Sequence, residues 1–205
     1  MTHKSKISCR HFQPTDTDEW IRVHGIVASF SSSWIFIINK KPVYRNDSIE
    51  LVADRDNAIV GFIDVEIEPH PGALCLKDVS RGGFVWEIGV LPELQKKGIG
   101  RRLIKEAEIR LTQKGIRRME FFTRDENACK FYEKLQMEKI STHYQFFFKP
   151  PANIARKFIK KGILNTEHIF ATCWEDDWED IKKKFSIIYN HPYEPHICTG
   201  FEYTF

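Results

Sequence analysis

The sequence predicts an α/β fold in which a central mixed β-sheet is flanked by helices. Three observations predict it. The stretch from Phe84 to Thr123 reads as strand, amphipathic helix, strand, a unit that calls for parallel pairing through a right-handed crossover. The stretch from Ser48 to Glu68 reads as an antiparallel hairpin. The chain has 205 residues, 42% of them hydrophobic and 29% charged, enough to bury a substantial core in one domain with room for an appendage.

Taken in order, Ile7 to Phe12 opens the chain as a short strand. Thr15 and Asp16 suit the N-cap of a helix whose Trp20, Val23, Val27 and Phe30 recur at helical spacing. Ser31 to Ser33 ends that helix, and Trp34 to Ile38, with Pro42 and Tyr44, forms an irregular second piece. Ser48 to Ala53 and Ile59 to Glu68 are the two arms of the hairpin, turning across Asp54 to Asn57. In the second arm Ile63, Val65 and Ile67 alternate with Asp64, Glu66 and Glu68. Those carboxylates could draw a cationic amine, but a solvent-facing row is the expectation.

Pro69 to Ser80 is a loop, and Gly82-Gly83 leads into the strand Phe84 to Val90. The helix from Ile99 to Lys114 carries Ile99, Leu103, Ile104, Ala107 and Leu111 on one stripe, and Gly115 stops it. Ile116 to Thr123 is the next strand, and Asp125 caps a helix from Glu126 to Gln136. On that helix Asn127, Phe131, Leu135, Ala128 and Tyr132 share an arc of about 140°. Asn127 and Tyr132 border the arc, each with a polar tip able to reach a cleft. Glu138 to Lys149 is a further strand. Ile154 and Phe158 mark a short helix ending at Gly162, and His168 to Trp174 is a strand. Asp176 to Phe185 is a helix with acids in its first turn and Lys182 to Lys184 in its last, matching its dipole.

Composition narrows the function classes. A net charge of +3 is too slight to argue for nucleic acid. It is unevenly spread, however: Leu91 to Arg118 holds nine basic residues against three acidic ones. The five cysteines are scattered, with no disulfide framework or zinc knuckle, and His191, His196 and Cys198 match no standard metal spacing. The longest apolar run, Trp34 to Ile38, is far short of a membrane span, and the first residues carry no signal region. Cytoplasm is the expected location. Most of the 16 Phe are expected in the core.

The most informative stretch runs from Trp86 to Arg102. An apolar strand meets Pro92, which has no amide hydrogen to continue it, and a basic, glycine-rich bend then enters the helix. Gly98 and Gly100 clear side chains from backbone that a ligand could approach. The helix N-terminus offers unpartnered amide hydrogens and a dipole that favours an anion. Lys96, Lys97, Arg101 and Arg102 add charge of the same sign. A phosphorylated ligand fits this arrangement. The dinucleotide fingerprint does not, because Leu103 stands where its third small residue belongs, and no Gly-Lys-Ser/Thr completes a P-loop.

What fits is Gln-x-x-Gly-x-Gly from Gln95 to Gly100, after a strand and Pro92. It resembles the pyrophosphate-binding signature of the GNAT superfamily, the N-acetyltransferases that use acetyl-coenzyme A. Asn127-x-x-x-x-Tyr132-Glu133-Lys134-Leu135 looks like the second motif of those enzymes, in the right order and distance. The resemblance covers roughly Ile7 to Lys149. The family pattern goes on Leu-Gly-Phe, whereas here Leu135-Gln136-Met137 removes the usual left-handed helix cap.

The resemblance implies a GNAT-like fold whose fourth strand carries a bulge and splays from the fifth. Ile88, Gly89 and Val90 would form the freed edge, with the Val90 amide on the thioester oxygen of acetyl-CoA, the expected cosubstrate. Backbone amides from Gln95 through Lys96, Lys97, Gly98, Ile99 and Gly100 to Arg101 would hold the pyrophosphate, and Asn127 would touch the pantetheine arm. Tyr132 would be the general acid, protonated at neutral pH with an ordinary pKa near ~10. Glu87 would be the general base if a bulge turned it inward, a solvent-facing or structural Glu87 being the alternative and Glu66 the reserve. Trp34, Phe36 and Tyr44 fall where such proteins cover the acceptor site, or else in the core.

A GNAT domain over residues 6–174 would end with His168 to Trp174 completing the sheet, and 175–205 would be a C-terminal extension packed on the same domain. The expected reaction is direct attack by a primary amine on acetyl-CoA in a ternary complex. A small-molecule amine is favoured over a protein, with neither nucleic acid nor membrane as partner and a homodimer left open. A non-catalytic acyl-CoA-binding sensor is the alternative.

Overall fold

The computed structural model describes residues 7–31, 38–150, 169–189 and 195–205. Its strands are β1 (Ile7–His11), β2 (Ser48–Arg55), β3 (Ala58–Ile67), β4 (Gly83–Val90), β5 (Arg118–Thr123), β6 (Glu138–Lys149), β7 (Ile169–Trp174), β8 (Ser186–Ile187) and β9 (His196–Thr204). Its helices are α1 (Thr17–Ser29), α2 (Ile99–Gln113), α3 (Glu126–Lys134) and α4 (Trp178–Lys184). Among the described residues the strands form a single mixed sheet in the order β1-β2-β3-β4-β5-β9-β6-β7, with β8 beside β6. No described helix is long and apolar enough to cross a membrane.

Local chemistry explains the elements. Asp56 and Asn57 both take positive φ, 54° and 66°, which the two-residue β2–β3 turn requires and which Asp and Asn tolerate. α2 buries its whole predicted stripe against β2, β3 and β4, and Gly115 leaves it at φ 75°. α1 buries Trp20, Val23 and Val27 on the other face of β3, but Phe30, expected on that stripe, is exposed at the helix end. Asp16 does not cap α1. Its carboxylate accepts from the Gln13 amide at 2.7 Å and pairs with Arg10.

One expectation is overturned. Asp64, Glu66 and Glu68 are buried, not solvent-facing. β3 lies inside the sheet with α1 on one face and α2 on the other, so both of its side-chain rows are covered. The sheet's far half holds a strand that was not anticipated. β7 joins the sheet at its edge, and β9 takes the place beside β5, antiparallel to β5 from Arg118↔Thr204 to Thr123↔Thr199 and antiparallel to β6 on its other side. β7 is the outer neighbour of β6. Residues 196–204 are therefore an interior strand, and a division at residue 174 cuts between strands of one sheet. β6, β7 and α4 enclose a second small core around Phe146, Phe148 and Trp178.

The helix cap predicted to be missing is present. Gln136 adopts φ 58° in place of the family's glycine, the Met137 amide donates to the Tyr132 carbonyl at 3.2 Å, and the Gln136 amide donates to Glu133 at 2.9 Å. That is a full Schellman closure of α3, at a backbone cost of about 1 kcal/mol for a residue other than glycine. The short helix predicted around Ile154 and Phe158 lies outside the described residues, as do Trp34, Phe36 and His191.

Candidate active site

The site begins as a break in strand pairing. β4 pairs with β5 only through Gly83↔Met119, Phe84↔Glu120 and Val85↔Phe121. On its other edge β4 pairs with β3 along its length, to Gly61↔Val90. That ladder skips Trp86, because Val65 pairs with Val85 and Asp64 with Glu87, so Trp86 is the extra residue of a bulge. The bulge falls where contact with β5 ends.

Backbone direction beyond the bulge follows from one hydrogen bond. The Leu91 amide donates to the Val60 carbonyl at 3.0 Å, so Leu91 faces β3. Residues alternate along an antiparallel ladder, so Gly89 and Glu87 also turn their backbone groups to β3, and Ile88 and Val90 turn theirs into the gap. The Gln95 side chain crosses back to the Val90 carbonyl at 3.2 Å. Gly89 lets the strands close on α1. A Cβ there would stand 2.7 Å from the Phe62 ring and 2.9 Å from Val27.

The bend after β4 is a single turn over Pro92–Leu94, then Lys96 at φ 60° and Gly98 at φ 83°. Gly98 is the N-cap of α2, and its carbonyl accepts from the Arg102 amide at 3.1 Å. The amides of Ile99, Gly100 and Arg101 thus belong to the helix turn that has no intrahelical acceptors. No atom lies within 4 Å of where a Gly98 Cβ would stand. The expected amide set loses its first member: the Gln95 amide donates to the Pro92 carbonyl at 3.3 Å, because the turn closes on itself. Lys97 reaches the Glu93 carbonyl at 3.0 Å, while Lys96, Arg101 and Arg102 are exposed.

α3 stands beside this bend. A Cβ on Gly100 would meet the Phe131 ring at 3.3 Å, so α2 starts in contact with α3. Tyr132 is buried among Phe121, Phe131 and Phe201, with ring centroids 5.0 to 5.6 Å away. Phe121 is the residue at which β5 parts from β4. Burial, with Cys129 and Asp125 adding to it, raises the Tyr132 phenol above its ordinary pKa, so it keeps its proton at neutral pH. Asn127 is exposed in the first turn of α3, and its amide donates to the Asp125 cap at 2.8 Å.

Glu87 lies on the opposite face. The bulge puts it across from Asp64, and its Oε2 is 3.4 Å from Nε2 of the buried His24, whose ring stacks on Trp20 at 5.1 Å. The neighbouring carboxylates are engaged. Asp64 accepts from Lys41 Nζ at 2.7 Å and from the Tyr44 hydroxyl at 3.1 Å, and Lys41 also pairs with Glu50 at 2.7 Å beneath the rings of Phe12 and Trp20. Burial pushes the Asp64 carboxyl up to about 6, Lys41 opposing part of the rise. Burial, then the charges of Asp64 and Glu87, raises the Tyr44 phenol. Glu66, the reserve base, accepts from the amides of Arg45 and Asn46, the Asn46 side chain and Trp86 Nε1. Those bonds leave it a structural role.

Sequence reasoning missed His24, Lys41 and Arg118. His24 was the most findable, four residues after Trp20 on the apolar stripe. Lys41 gave no local signal, and neither did Arg118, whose partners Glu68 and Glu202 are distant in sequence.

A sheet that opens between two parallel strands, with a glycine-led helix N-terminus at the opening, defines an α/β protein built to receive an extended, anionic ligand. Residues 13–137 match the family model described as the acetyltransferase (GNAT) family, more than half the chain. The chain belongs to that family, and is an acyltransferase. Solved structures agree in fold. The PaiA N-acetyltransferase of Thermoplasma acidophilum, in complex with coenzyme A, is 15% identical at a TM-score of 0.52, over 82% of this chain and 99% of that one. A GNAT-family acetyltransferase of Streptococcus pneumoniae is 13% identical at a TM-score of 0.57, over 95% and 98%. A candidate streptothricin acetyltransferase of Bacillus anthracis, in complex with acetyl coenzyme A, is 15% identical at 0.53, over 98% of both chains. Comparison with curated protein sequences gives no match.

Proposed function

We propose that the protein is an N-acetyltransferase that moves the acetyl group of acetyl-CoA to a primary amine by direct attack in a ternary complex. The observation that carries this reading is the one-sided pairing of β4, closed along β3 and open to β5 beyond Val85. Ile88 and Val90 offer backbone groups to a pantetheine arm, and the amides from Lys96 to Arg101 offer donors to its diphosphate. Gly98 fits such a ligand, because nothing stands within 4 Å of where its Cβ would be, whereas Gly100 makes room for the Phe131 ring of α3.

Three chemical tasks fall to this chain's residues. The Val90 amide donates to the thioester carbonyl oxygen, where negative charge develops. Glu87, on the α1 face, takes a proton from the ammonium, directly or through water, and so frees its lone pair. Tyr132, on the α3 face, gives its proton to the sulfur as the new C–N bond forms and the C–S bond breaks. Acid and base thus address the gap from opposite faces, which suits two substrates meeting inside it. Holding them there supplies effective molarities on the order of 10⁵ M or more. Asn127 contributes a polar contact at the mouth.

The test is free-thiol release from acetyl-CoA with a panel of amines, comparing the natural protein with Tyr132→Phe. The variant is expected to lose about 10²- to 10⁴-fold in kcat with little change in acetyl-CoA affinity. Equal rates for the two proteins would remove Tyr132 from the mechanism.

A further inference from the structure

The carboxylates and the aromatic rings of the α1 face divide it into two zones. Asp64 and Glu66 on β3, and Glu68 just past its end, are spent on internal donors, as is Glu120 on β5, which accepts from the amides of Leu76 and Lys77. Glu202 on β9 is held by Arg118 and Lys77. On the same face a row of rings starts at the bulge and crosses to the sheet's far side. Trp86 lies 4.6 Å from Phe84, Phe84 lies 5.6 Å from Phe122, Phe122 lies 6.1 Å from His143, and His143 lies 6.1 Å from Trp174.

The row runs across β9 because Gly200 sits opposite both Phe122 and Ser141. A Cβ there would stand 2.7 Å from the Phe122 ring. Trp86 and Trp174 are 47% and 50% exposed, and the three rings between them are half-buried. Burial lowers the His143 pKa, so the row is neutral near pH 7. A contiguous half-exposed aromatic surface on a folded protein marks a binding site.

We infer that this row, Trp86–Phe84–Phe122–His143–Trp174, is the acceptor's bed, and that the acceptor is a small monoamine carried on a flat aromatic body. The inference rests on the acetyltransferase reading and deepens it. The row is continuous with the opening of β4 and meets it beside Glu87, where the ammonium of such an amine loses its proton. A polyamine or amino sugar would need several carboxylates to hold its charges, and the others on this face hold lysine, arginine or backbone amides. A peptide would lay its amide groups on ring faces, and the strands beneath have spent their own backbone groups on one another, so those groups would be buried unpaired.

The experiment measures kcat/KM at fixed acetyl-CoA for butylamine, phenethylamine, a two-ring biphenylethylamine, spermidine and a peptide with a free N-terminus. The expected order rises with ring count, with phenethylamine at least tenfold above butylamine. Trp174→Ala is expected to cut the advantage of the two-ring amine over the one-ring amine at least fivefold. Spermidine or the peptide outrunning both aryl amines would overturn the inference while leaving the acetyltransferase reading intact. If no amine releases thiol, quenching of tryptophan fluorescence by biphenylethylamine in the presence of coenzyme A decides. Saturable quenching weakened at least fivefold in Phe122→Ala supports the bed without the chemistry, and its absence rejects the bed.

Discussion

The two edges of β4 have the same sequence and opposite fates. Toward β3 the strand is paired from Gly83 to Val90, with one bulge. Toward β5 it is paired over three residues and then released. Strand propensity cannot account for that, since the same residues serve both edges. The difference lies in what fastens each end. At the closed end the Arg118 guanidinium joins Glu68, Glu120, Glu202 and the Ser80 carbonyl, tying β5, β9 and the β3–β4 loop together behind Gly83. At the open end α2 and α3 touch each other through Gly100 and Phe131 while the strands above them part. A rigid closure at one end and a spacer at the other make a gap of fixed place.

The largest expected effect comes from breaking the closure. Arg118→Met would leave three buried carboxylates without their common cation, at a cost of about 3–5 kcal/mol. For a chain this size that is a fall of about 10 °C in the midpoint of thermal unfolding. A midpoint within 2 °C of the natural protein would show that the cluster does not fasten the sheet.

The closed edge can also be probed by pH. Because burial holds the Asp64 carboxyl near 6, the folded protein keeps a proton there that the unfolded chain releases near pH 4. Folding stability contributed by this group is therefore greatest below that window and falls as pH rises from about 4 to 6, by up to about 3 kcal/mol. Asp64→Asn has no such proton to lose. Urea denaturation at pH 4.5 and pH 7 is expected to show a smaller drop for the variant, and parallel drops would argue against the shift.

The smallest effect sharpens the open edge. Gly98→Val adds a side chain where nothing stands within 4 Å, so its penalty is the left-handed backbone, about 1–2 kcal/mol. The KM for acetyl-CoA is expected to rise about tenfold, worth roughly 1.4 kcal/mol, with only a few degrees lost in thermal midpoint. An unchanged KM would place the diphosphate elsewhere.

Much of this was legible in the chain itself. The α2 stripe, the hairpin turn and β6 follow from spacing that each segment carries locally. The glycine bend was readable because two glycines and a run of basic residues directly precede an amphipathic helix. The bulge named as the requirement for Glu87 is present at Trp86, where the pairing with β3 skips one residue. The charged row on β3 misled because alternation reports which side chains share a face, not whether that face meets solvent. The inner place of β9 was equally hidden, because strand order depends on pairing partners some eighty residues apart.

By itself, then, the sequence determined most of the elements up to α4, the anion-ready bend and the two motifs that identify the family, because these depend on neighbours within a few turns. Only the tertiary structure decided which carboxylates are committed, which strand fills the sheet beside β5 and where the aromatic row runs. Those outcomes depend on burial and on contacts between distant segments, and side-chain order along one strand carries no record of either.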